Sequence, residues 1–389
     1  MRILLIAPHC PVPADMGIKT HLAFVLRSLA ASHTVEVIGF CASGNEEREW
    51  CRIEGEWGFL LRELIPLRQG WGLAFERAQA LVTGEPIGVA HYRGPQVARA
   101  LAEALQAAPD WVIYDYYPTL AAHLVPASVP SLLLPVDCYS LYYQRLAQTA
   151  PGWALPLKAA WLARRFARWE ARVYPQLTAV APVGQVDAAE LRRLAPTANI
   201  QVLPVAAPVA RERVPGVIPR VLVGGAFWMP AVAADAVEFL KCWRPAAAEL
   251  VVWGRGAPQC LQLATAAAGG AYVDWVDDYE AFLASGDIYV YPQRAAAGLQ
   301  TKVQQAMSAG LAVVAAPEIL EALEVDSDLA AVAVQGAAGM AAATLDLVRD
   351  TRRREATGAA AREHVARHFA PELVRAALTQ ILNLEETHA

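Results

Sequence analysis

The sequence predicts an α/β protein made of two facing Rossmann-like domains, and three observations lead to this fold class. Apolar runs of strand length alternate with segments of helical spacing, once over residues 2–205 and again from residue 220 onward. A proline-rich stretch without a clear period, residues 204–220, separates the two series and suits a linker between domains. A chain of 389 residues with 56% hydrophobic residues has enough apolar material for two buried cores.

The charge and cysteine content argue against several classes of protein. A formal net charge of -5 speaks against a general basic face for nucleic acid, although local basic patches leave a nucleic-acid partner open. The six cysteines include no Cys-x-x-Cys pair and no histidine at zinc-site spacing, so we predict reduced thiols and no metal site. The first residues, MRILLIAP, lack the length and flanks of a signal peptide, and no apolar stretch is long enough to span a bilayer. These features predict a cytoplasmic location.

The first βαβ unit occupies the start of the chain. Residues 2–8 form an apolar run typical of a buried parallel strand, a helix is predicted over 19–31, and a second strand over 34–40. The loop between the first strand and the helix contains Gly17. For His21 we favour a position that faces solvent or caps the helix over a functional one.

Two further strands of the first half end in acids. Residues 111–116 and 131–136 are apolar runs, and their carboxyl ends carry Asp115 and Asp137. Carboxylates at the carboxyl ends of adjacent parallel strands face the cleft of an open sheet, so both acids are candidates for a functional site. Helix capping explains either acid equally well. Beyond them, short strands are predicted over 177–182 and 200–205, around a helix over 186–194.

Residues 155–175 form a basic helix that is rich in aromatic residues. The basic residues are Lys158, Arg164, Arg165, Arg168 and Arg172, and the aromatic residues are Trp161, Phe166, Trp169 and Tyr174. A helix of this kind is suited to an anionic membrane surface or a lipid-linked molecule. We favour an ordinary amphipathic helix with its arginines in solvent, because the apolar residues also suit a core.

The second half restarts with strands predicted over 220–224, 249–254, 271–274, 287–292, 311–316 and 331–334. Residues 287–317 form one β-loop-α-β unit, in which the loop from Arg294 to Thr301 opens a helix near Lys302. Backbone amides at a helix N-terminus favour anions, and Gly298 lets a ligand approach the backbone closely. With the charges of Arg294 and Lys302 this loop suits a phosphate or diphosphate; the alternative is an ordinary crossover with a solvated lysine.

This segment resembles the donor site of GT-B fold, family-4-type retaining glycosyltransferases (glycosyl transferases group 1). In that family a glycine-containing loop leads to a helix of the pattern K-v-l-E-A-M-A-x-G-x-P-V-V, which corresponds to KVQQAMSAGLAVV at residues 302–314. The family glutamate that holds the ribose hydroxyls is Gln305 here, and a glutamine still carries an acceptor and two donors. The family's first acidic residue falls on Gly298. Relatives with a Gly-Ile-x-x-Lys loop also lack that acid, and Gly298, Leu299, Gln300, Thr301 and Lys302 resemble this version.

The resemblance extends over nearly the whole chain, by loop pattern only in residues 1–205. The segment GGAFWMPAVAADAVEFL resembles the first loop and helix of the family's second domain, with Gly225 at the turn. The Arg and Lys that many relatives place there for the diphosphate are missing. The family's first loop implies that Gly17 lies near the sugar phosphate. The loops after residues 249–254 and 271–274 imply a nucleobase pocket of Trp253, Arg255, Trp275 and Val276.

The family implies a metal-independent glycosyltransferase of the hexosyltransferase type, which moves a sugar with retention from a nucleotide-diphosphate sugar to a hydroxyl acceptor in glycan biosynthesis. The nucleotide sugar is a co-substrate, and no cofactor is implied. Lys302 would stabilise the departing diphosphate, and Asp115 and Asp137 are the catalytic candidates on the acceptor side. The expected donor-binding residues are Gly17, Gly225, Trp253, Arg255, Trp275, Val276, Arg294, Gly298, Leu299, Gln300, Thr301, Lys302 and Gln305.

The family also implies a domain division and leaves a contact with membranes open. The acceptor domain would span residues 1–205, the linker 206–219 and the donor domain 220–370, and a helix over 371–389 would return to the first domain. A peripheral membrane or lipid-linked acceptor contact would use residues 155–175.

Other functions compete with this hypothesis. A non-catalytic GT-B homologue acting as a partner subunit would explain the departures at Gly298 and Gln305. A nucleotide-sugar epimerase shares the fold but usually carries a dense set of His, Glu and Arg in its cleft, and acids are sparse here. A Rossmann dehydrogenase needs G-x-G-x-x-G after the first strand, which PHCPVPADMG does not supply.

Overall fold

The computed structural model describes residues 1–67, 70–122, 125–149, 152–208, 211, 213, 216–244, 247–294, 298–325 and 330–383. Within these ranges, no helix has both the length and the apolar character that crossing a membrane requires. The predicted linker and C-terminal helix lie partly outside the described residues, at 209, 210, 212, 214 and 215 and at 384–389.

The first half of the chain forms a parallel sheet in the order β3-β2-β1-β4-β5-β6. The strands are β1 Arg2–Ala7, β2 Thr34–Cys41, β3 Leu60–Pro66, β4 Trp111–Asp115, β5 Ser131–Leu134 and β6 Ala179–Val180. The helices are α1 Gly17–Ala30, α2 Gly44–Trp57, α3 Gly70–Thr83, α4 Pro95–Leu105, α5 Tyr139–Thr149, α6 Ala154–Val173 and α7 Gln185–Leu194. Residues 3–7 of β1 are all buried, as a central strand covered on both faces requires.

Three predictions for the first half need correction. The strand β3 was not predicted. Its polar residues suit an edge strand, but in a segment rich in charged residues the same pattern also resembles a helix. Residues 200–205 do not form a strand; Ile200 makes a single parallel bridge with Val180. The strand β5 ends at Leu134, so Asp137 lies three residues beyond the sheet rather than at its edge.

The second half forms another parallel sheet, in the order β12-β11-β10-β7-β8-β9. The strands are β7 Arg220–Gly224, β8 Glu249–Trp253, β9 Ala271–Val273, β10 Ile288–Tyr291, β11 Ala312–Ala315 and β12 Val332–Ala333. The helices are α8 Pro230–Cys242, α9 Gln259–Ala267, α10 Tyr279–Ala284, α11 Thr301–Ser308, α12 Pro317–Ala322, α13 Ala337–Arg349 and α14 Thr351–His368, and the last helix of the chain is α15 Pro371–Leu382.

Contacts divide the chain into two compact units. The first comprises Met1–Gln144, Leu157–Val205 and the chain from Val374 onward, and the second comprises Arg145–Pro156 and Ala206–Leu373. The helix α15 buries Val374, Leu378 and Ile381 in the first unit, and the Trp111 indole N–H donates to the carbonyl of Leu382 at 3.1 Å. The predicted fold class, two Rossmann-like α/β units with a C-terminal helix that belongs to the first, is confirmed.

Each sheet has one place where the direction of strand addition reverses. In the second sheet β7 and β10 are neighbours, and the chain builds outward from β7 through β8 and from β10 through β11. In the first sheet β1 and β4 hold the corresponding positions. Loops diverge at such a point and leave a crevice outside the carboxyl ends of the strands, which is where open α/β sheets bind ligands.

Candidate functional site

The donor-side candidates lie on four loops at the carboxyl edge of the second sheet. These loops follow β7, β8, β9 and β10, at residues 225–229, 254–258, 274–278 and 292–300. Residues 295–297 of the last loop lie outside the described part of the chain. The remaining residues place the loops after β7 and β10 on the two sides of the crevice.

Lys302 connects the two sides of this crevice. It is the second residue of α11, half-buried, and its Nζ lies 3.4 Å from the carbonyl oxygen of Gly225 on the β7 loop. The same Nζ lies 4.3 Å from the centre of the Trp253 ring, at the end of β8. A positive charge thus lies at the point where the direction of strand addition reverses, next to the N-terminus of α11, and both the charge and the helix N-terminus favour an anion.

Trp253 is more enclosed than a nucleobase platform would be. Its side chain is 8% exposed and stacks on Tyr279, with ring centres 4.7 Å apart and an angle of 19° between the planes. Because Tyr279 and Lys302 both contact the ring, a base that stacks on Trp253 has to displace one of them. The stacking role of Trp253 stays a prediction, and Tyr279 was not predicted at this site.

Trp275 offers the more accessible aromatic surface. It is 44% exposed, and the Arg255 guanidinium lies 3.9 Å from its ring centre. The neighbouring Val276 is half-buried. Arg255 and Trp275 therefore lie together on adjacent loops, and their role in a base pocket stays a prediction.

Glycines allow the loops after β7 and β8 to touch through their backbones. Gly254 has a φ of +148°, and a Cβ at this position would lie 2.0 Å from the carbonyl oxygen of Gly225. A Cβ on Gly225 would in turn lie 2.4 Å from the Phe227 ring. Any larger residue at Gly254 would push the Gly225 carbonyl away from its position beside Lys302.

Arg294 is held by an acid that the sequence analysis missed. The backbone N–H of Arg294 donates to Asp235 at 3.0 Å and its Nε donates to the same carboxylate at 2.6 Å, while Nη2 forms an ion pair with it at 2.5 Å. Asp235 is 8% exposed and lies on α8. The available signal was an acid within the largely apolar segment PAVAADAVEFL, whose charged residues are Asp235 and Glu238. Arg294 therefore anchors the start of its loop, and its charge is already paired.

The rest of the β10 loop turns into α11. Gly298 is buried and has a φ of +67°, a conformation that favours glycine. Leu299 is 7% exposed, and Gln300 accepts a hydrogen bond from the Tyr291 hydroxyl at 2.8 Å. Thr301 begins the helix, and Gln305 lies one turn further on, half-buried.

The candidates of the first unit lie beside the other crevice. Gly17 is the first residue of α1, and Asp115 is the last residue of β4. Asp115 is fully buried, and neither carboxyl oxygen has a hydrogen-bond partner among the described residues. Burial without a partner raises the pKa of Asp115 well above its usual value. The next residue, Tyr116, has a φ of +70°, which strains the backbone beside the acid.

Asp137 lies beside a buried polar network. Val136 has a φ of +70°, and the following Cys138 N–H donates to Asp187 at 2.6 Å. Burial and the repulsion of Asp187 raise the pKa of Asp137 well above its usual value. Because its pKa is raised, the Asp137 carboxyl group keeps its proton to a higher pH, which is one property of a general acid.

Glu170 of α6 accepts hydrogen bonds from the first two residues of α5, which follow Asp137 closely in the chain. Its Oε1 accepts the Tyr139 N–H at 3.0 Å and its Oε2 accepts the Ser140 hydroxyl at 2.5 Å, so a buried carboxyl caps α5. Burial raises the pKa of Glu170 to about 7. Neither Glu170 nor Asp187 was predicted to act near Asp137.

The expectation for His21 is wrong. The residue is fully buried in the core face of α1 instead of facing solvent or capping the helix. Burial lowers its pKa to about 4. His9, in the loop after β1, is also kept neutral, since burial lowers its pKa to about 4.

Comparison with known proteins gives a family match within the second unit and several similar structures. Residues 219–350 match the model of the family "Glycosyl transferases group 1". The structure is similar to sucrose-phosphate synthase from Thermosynechococcus elongatus, with 15% identity, a TM-score of 0.74 and 100% coverage of both chains. It is also similar to HepE from Anabaena in complex with UDP and glucose, with 12% identity, a TM-score of 0.68, and 98% of this chain and 99% of that chain covered.

A third similar structure is WaaG, a glycosyltransferase involved in lipopolysaccharide biosynthesis, with 14% identity, a TM-score of 0.62, and 96% of this chain and 98% of that chain covered. At these identities the likeness shows the fold, which is the GT-B fold. No curated protein sequence gives a significant match to the chain.

Proposed function

Because residues 219–350 match the model of the family "Glycosyl transferases group 1" and the whole chain has the GT-B fold, we propose that the protein transfers a sugar from a nucleotide-diphosphate sugar to a hydroxyl acceptor. The family match supports a transferase. The donor, the stereochemistry, the acceptor and the roles of individual residues are the proposal.

One observation carries the donor site: Lys302 lies 3.4 Å from the Gly225 carbonyl, across the crevice of the second sheet. In sugar transfer the bond between the anomeric carbon and the diphosphate oxygen breaks, so negative charge is added to a diphosphate that already carries two, while positive charge grows on the anomeric carbon. A fixed cation and the first N–H groups of α11 stabilise the departing group without reorganisation during the reaction. Asp235 fixes Arg294 at the start of the β10 loop.

The nucleotide is proposed to lie along the same edge of the sheet. Gln305 would bond the ribose hydroxyls in place of the family glutamate, and Arg255, Trp275 and Val276 would contact the base. UDP is the first nucleotide to test, since HepE from Anabaena was crystallised with UDP and glucose. Gly17 is proposed to approach the sugar phosphate through its backbone.

Retention and metal independence are parts of the same proposal. The resemblance of residues 302–314 to the family helix supports retention, and the charge of Lys302 offers the diphosphate a counterion within the protein. Nuclear magnetic resonance of the first product gives the anomeric configuration. Activity that survives a chelator and does not respond to added Mg²⁺ is expected.

The acceptor is proposed to bind in the first unit, near Asp115 and Asp137. The pKa of each acid is raised well above the usual value of a carboxyl group. Each is therefore suited to exchange a proton with a hydroxyl group. A lipid-linked acceptor that contacts residues 155–175 is the proposed form of peripheral membrane contact. The proposed location is cytoplasmic, where the six cysteines stay reduced.

A thermal-shift and turnover experiment tests the donor site. UDP should raise the melting temperature of the wild type, because a ligand that binds only the folded state stabilises it. Lys302→Ala should lose most of this shift and of the donor turnover. Lys241→Ala, which removes an exposed lysine of α8 in the same unit, is the matched control and should keep both.

The outcome also separates the alternatives. A wild type that binds UDP but neither transfers nor hydrolyses any nucleotide sugar would favour a non-catalytic subunit. Interconversion of two nucleotide sugars without transfer would favour an epimerase. Equal UDP shifts in wild type and Lys302→Ala would place the diphosphate elsewhere.

A further inference from the structure

The helix α3 has its apolar residues on the solvent side. Trp71, Phe75 and Val82 are 92%, 71% and 89% exposed, and their spacing of four and seven residues puts them on one face. The opposite face buries Glu76 and Ala80. A helix that packs against a core normally shows the reverse pattern, so this apolar face is left for a partner.

The helix α6 presents a row of positive charges beside it. Arg164, Arg168 and Arg172 are exposed and recur every four residues, which places them along one face. Their guanidinium groups form no ion pair or hydrogen bond with any described residue. Leu157 and Trp161, 65% and 46% exposed, continue this face toward the start of the helix.

Hydrogen bonds join these two helices within the first unit. The Arg165 guanidinium donates to the carbonyls of Leu81 at 3.1 Å and Glu85 at 2.8 Å, and also to the carbonyl of Ala80 at the end of α3. A groove of about 400 Å³ lies at this junction, lined by Gly84, by Trp161 and Trp169, and by the arginines of α6. The apolar face and the charged row are therefore parts of one surface.

We propose that this surface, formed by the outward faces of α3 and α6, docks on an anionic lipid bilayer. Trp71, Phe75 and Val82 enter the boundary between headgroups and acyl chains, and the three unpaired arginines bind lipid phosphates. Charge complementarity selects this occupant, because an apolar helix face next to unpaired cations matches a surface that is apolar inside and anionic outside. The docking is independent of sugar transfer and extends the membrane contact from residues 155–175 to α3.

Flotation of the full chain with vesicles tests the docking. Binding is expected to phosphatidylcholine vesicles that contain phosphatidylglycerol, to be weak with phosphatidylcholine alone, and to fall as salt is added. The triple variant Arg164→Gln, Arg168→Gln, Arg172→Gln should lower the partition coefficient roughly 100-fold at low salt, since each basic residue near such a surface contributes about 1 kcal/mol and 1.4 kcal/mol is tenfold.

A second variant probes the apolar part without touching the charges. The double variant Trp71→Ser, Phe75→Ser changes two exposed side chains, so the fold should persist, and it should lower the partition coefficient about tenfold or more. The matched controls lie in the second unit: Leu263→Ser removes an apolar side chain that is 62% exposed, and Arg349→Gln, Arg352→Gln, Arg353→Gln removes the same charge as the arginine triple. Both controls should bind vesicles as the wild type does.

Several results would overturn the proposal. Equal binding to neutral and anionic vesicles, or wild-type binding by the arginine triple, would remove the role of the charged row. If the control triple at Arg349, Arg352 and Arg353 also lost vesicle binding, the net charge of the protein rather than the position of the arginines would explain the effect. Absence of vesicle binding together with calorimetric binding of inorganic phosphate would assign the groove to a soluble anion instead.

Discussion

Removal of the Asp235 carboxylate should loosen the donor loop and destabilise the second unit. Asp235 accepts two hydrogen bonds from Arg294, one of them from the backbone N–H, forms an ion pair with its guanidinium, and is 8% exposed. A hydrogen bond at this burial contributes about 1 kcal/mol. The Arg294 side chain is 53% exposed, so the ion pair is screened and adds at most about 1 kcal/mol. We therefore expect Asp235→Ala to lower the free energy of unfolding by about 2 kcal/mol.

Denaturation in urea measures this change, and calorimetry with UDP measures its effect on the site. Asp235→Asn keeps an oxygen for the Arg294 N–H and should lose about half as much stability, on the order of 1 kcal/mol. UDP affinity should fall several-fold in Asp235→Ala, because the loop before Gly298 loses its anchor. Glu238→Ala breaks an exposed ion pair on the same helix and serves as the control. The reasoning fails if Asp235→Ala matches Glu238→Ala in both measurements.

Three further predictions concern single side chains. Gln305→Leu should weaken UDP binding several-fold in calorimetry, because a polar contact to the ribose of about 1 kcal/mol is lost; unchanged affinity would mean that the ribose is held elsewhere. Glu170 has a folded pKa of about 7, above its unfolded value of 4.5, so wild-type stability should fall as pH rises from 4.5 to 7. Glu170→Gln should remove about 3 kcal/mol of that fall in the free energy of unfolding, which urea titrations at several pH values measure. If the free energy of unfolding changes with pH in the same way in both proteins, the raised pKa is contradicted. Asp115→Asn should raise the melting temperature at pH 8, where the unfolded acid ionises and the buried one resists, while turnover falls; a variant with full turnover would exclude Asp115 from catalysis.

The repeated alternation of strands and helices was predictable because buried parallel strands are short apolar runs. Residues 220–224 were predicted as a strand and form β7, and the run at 287–292 contains β10. The edge strand β3 was not predicted, because Ile65 is the only one of its residues that is buried. A strand with one covered face and few buried residues carries little periodic signal.

The donor site was partly predictable for a different reason. Lys302 and Gly298 lie close together in sequence, so their spacing alone puts them on one loop and helix start. The pairing of Arg294 with Asp235 joins residues from different βα units and depends on how α8 packs. The enclosure of Trp253 by Tyr279 likewise depends on packing between β8 and α10. Burial of His21 could not be read from its polarity, because an uncharged imidazole can occupy a core position.

The membership of α15 in the first unit affects how the chain folds while it is being made. The ribosome completes residues 1–205 before Ala206–Leu373, the main segment of the second unit, and makes nearly all of α15 only afterwards. At ordinary elongation rates the first unit therefore waits roughly 10 to 35 seconds for this helix. During that time the indole of Trp111 lacks the carbonyl of Leu382, and the apolar surface that later covers Val374 and Leu378 is open to water. The second unit, whose main segment Ala206–Leu373 is continuous, has no such wait, so the later-made half of the protein can reach its native packing before the earlier one.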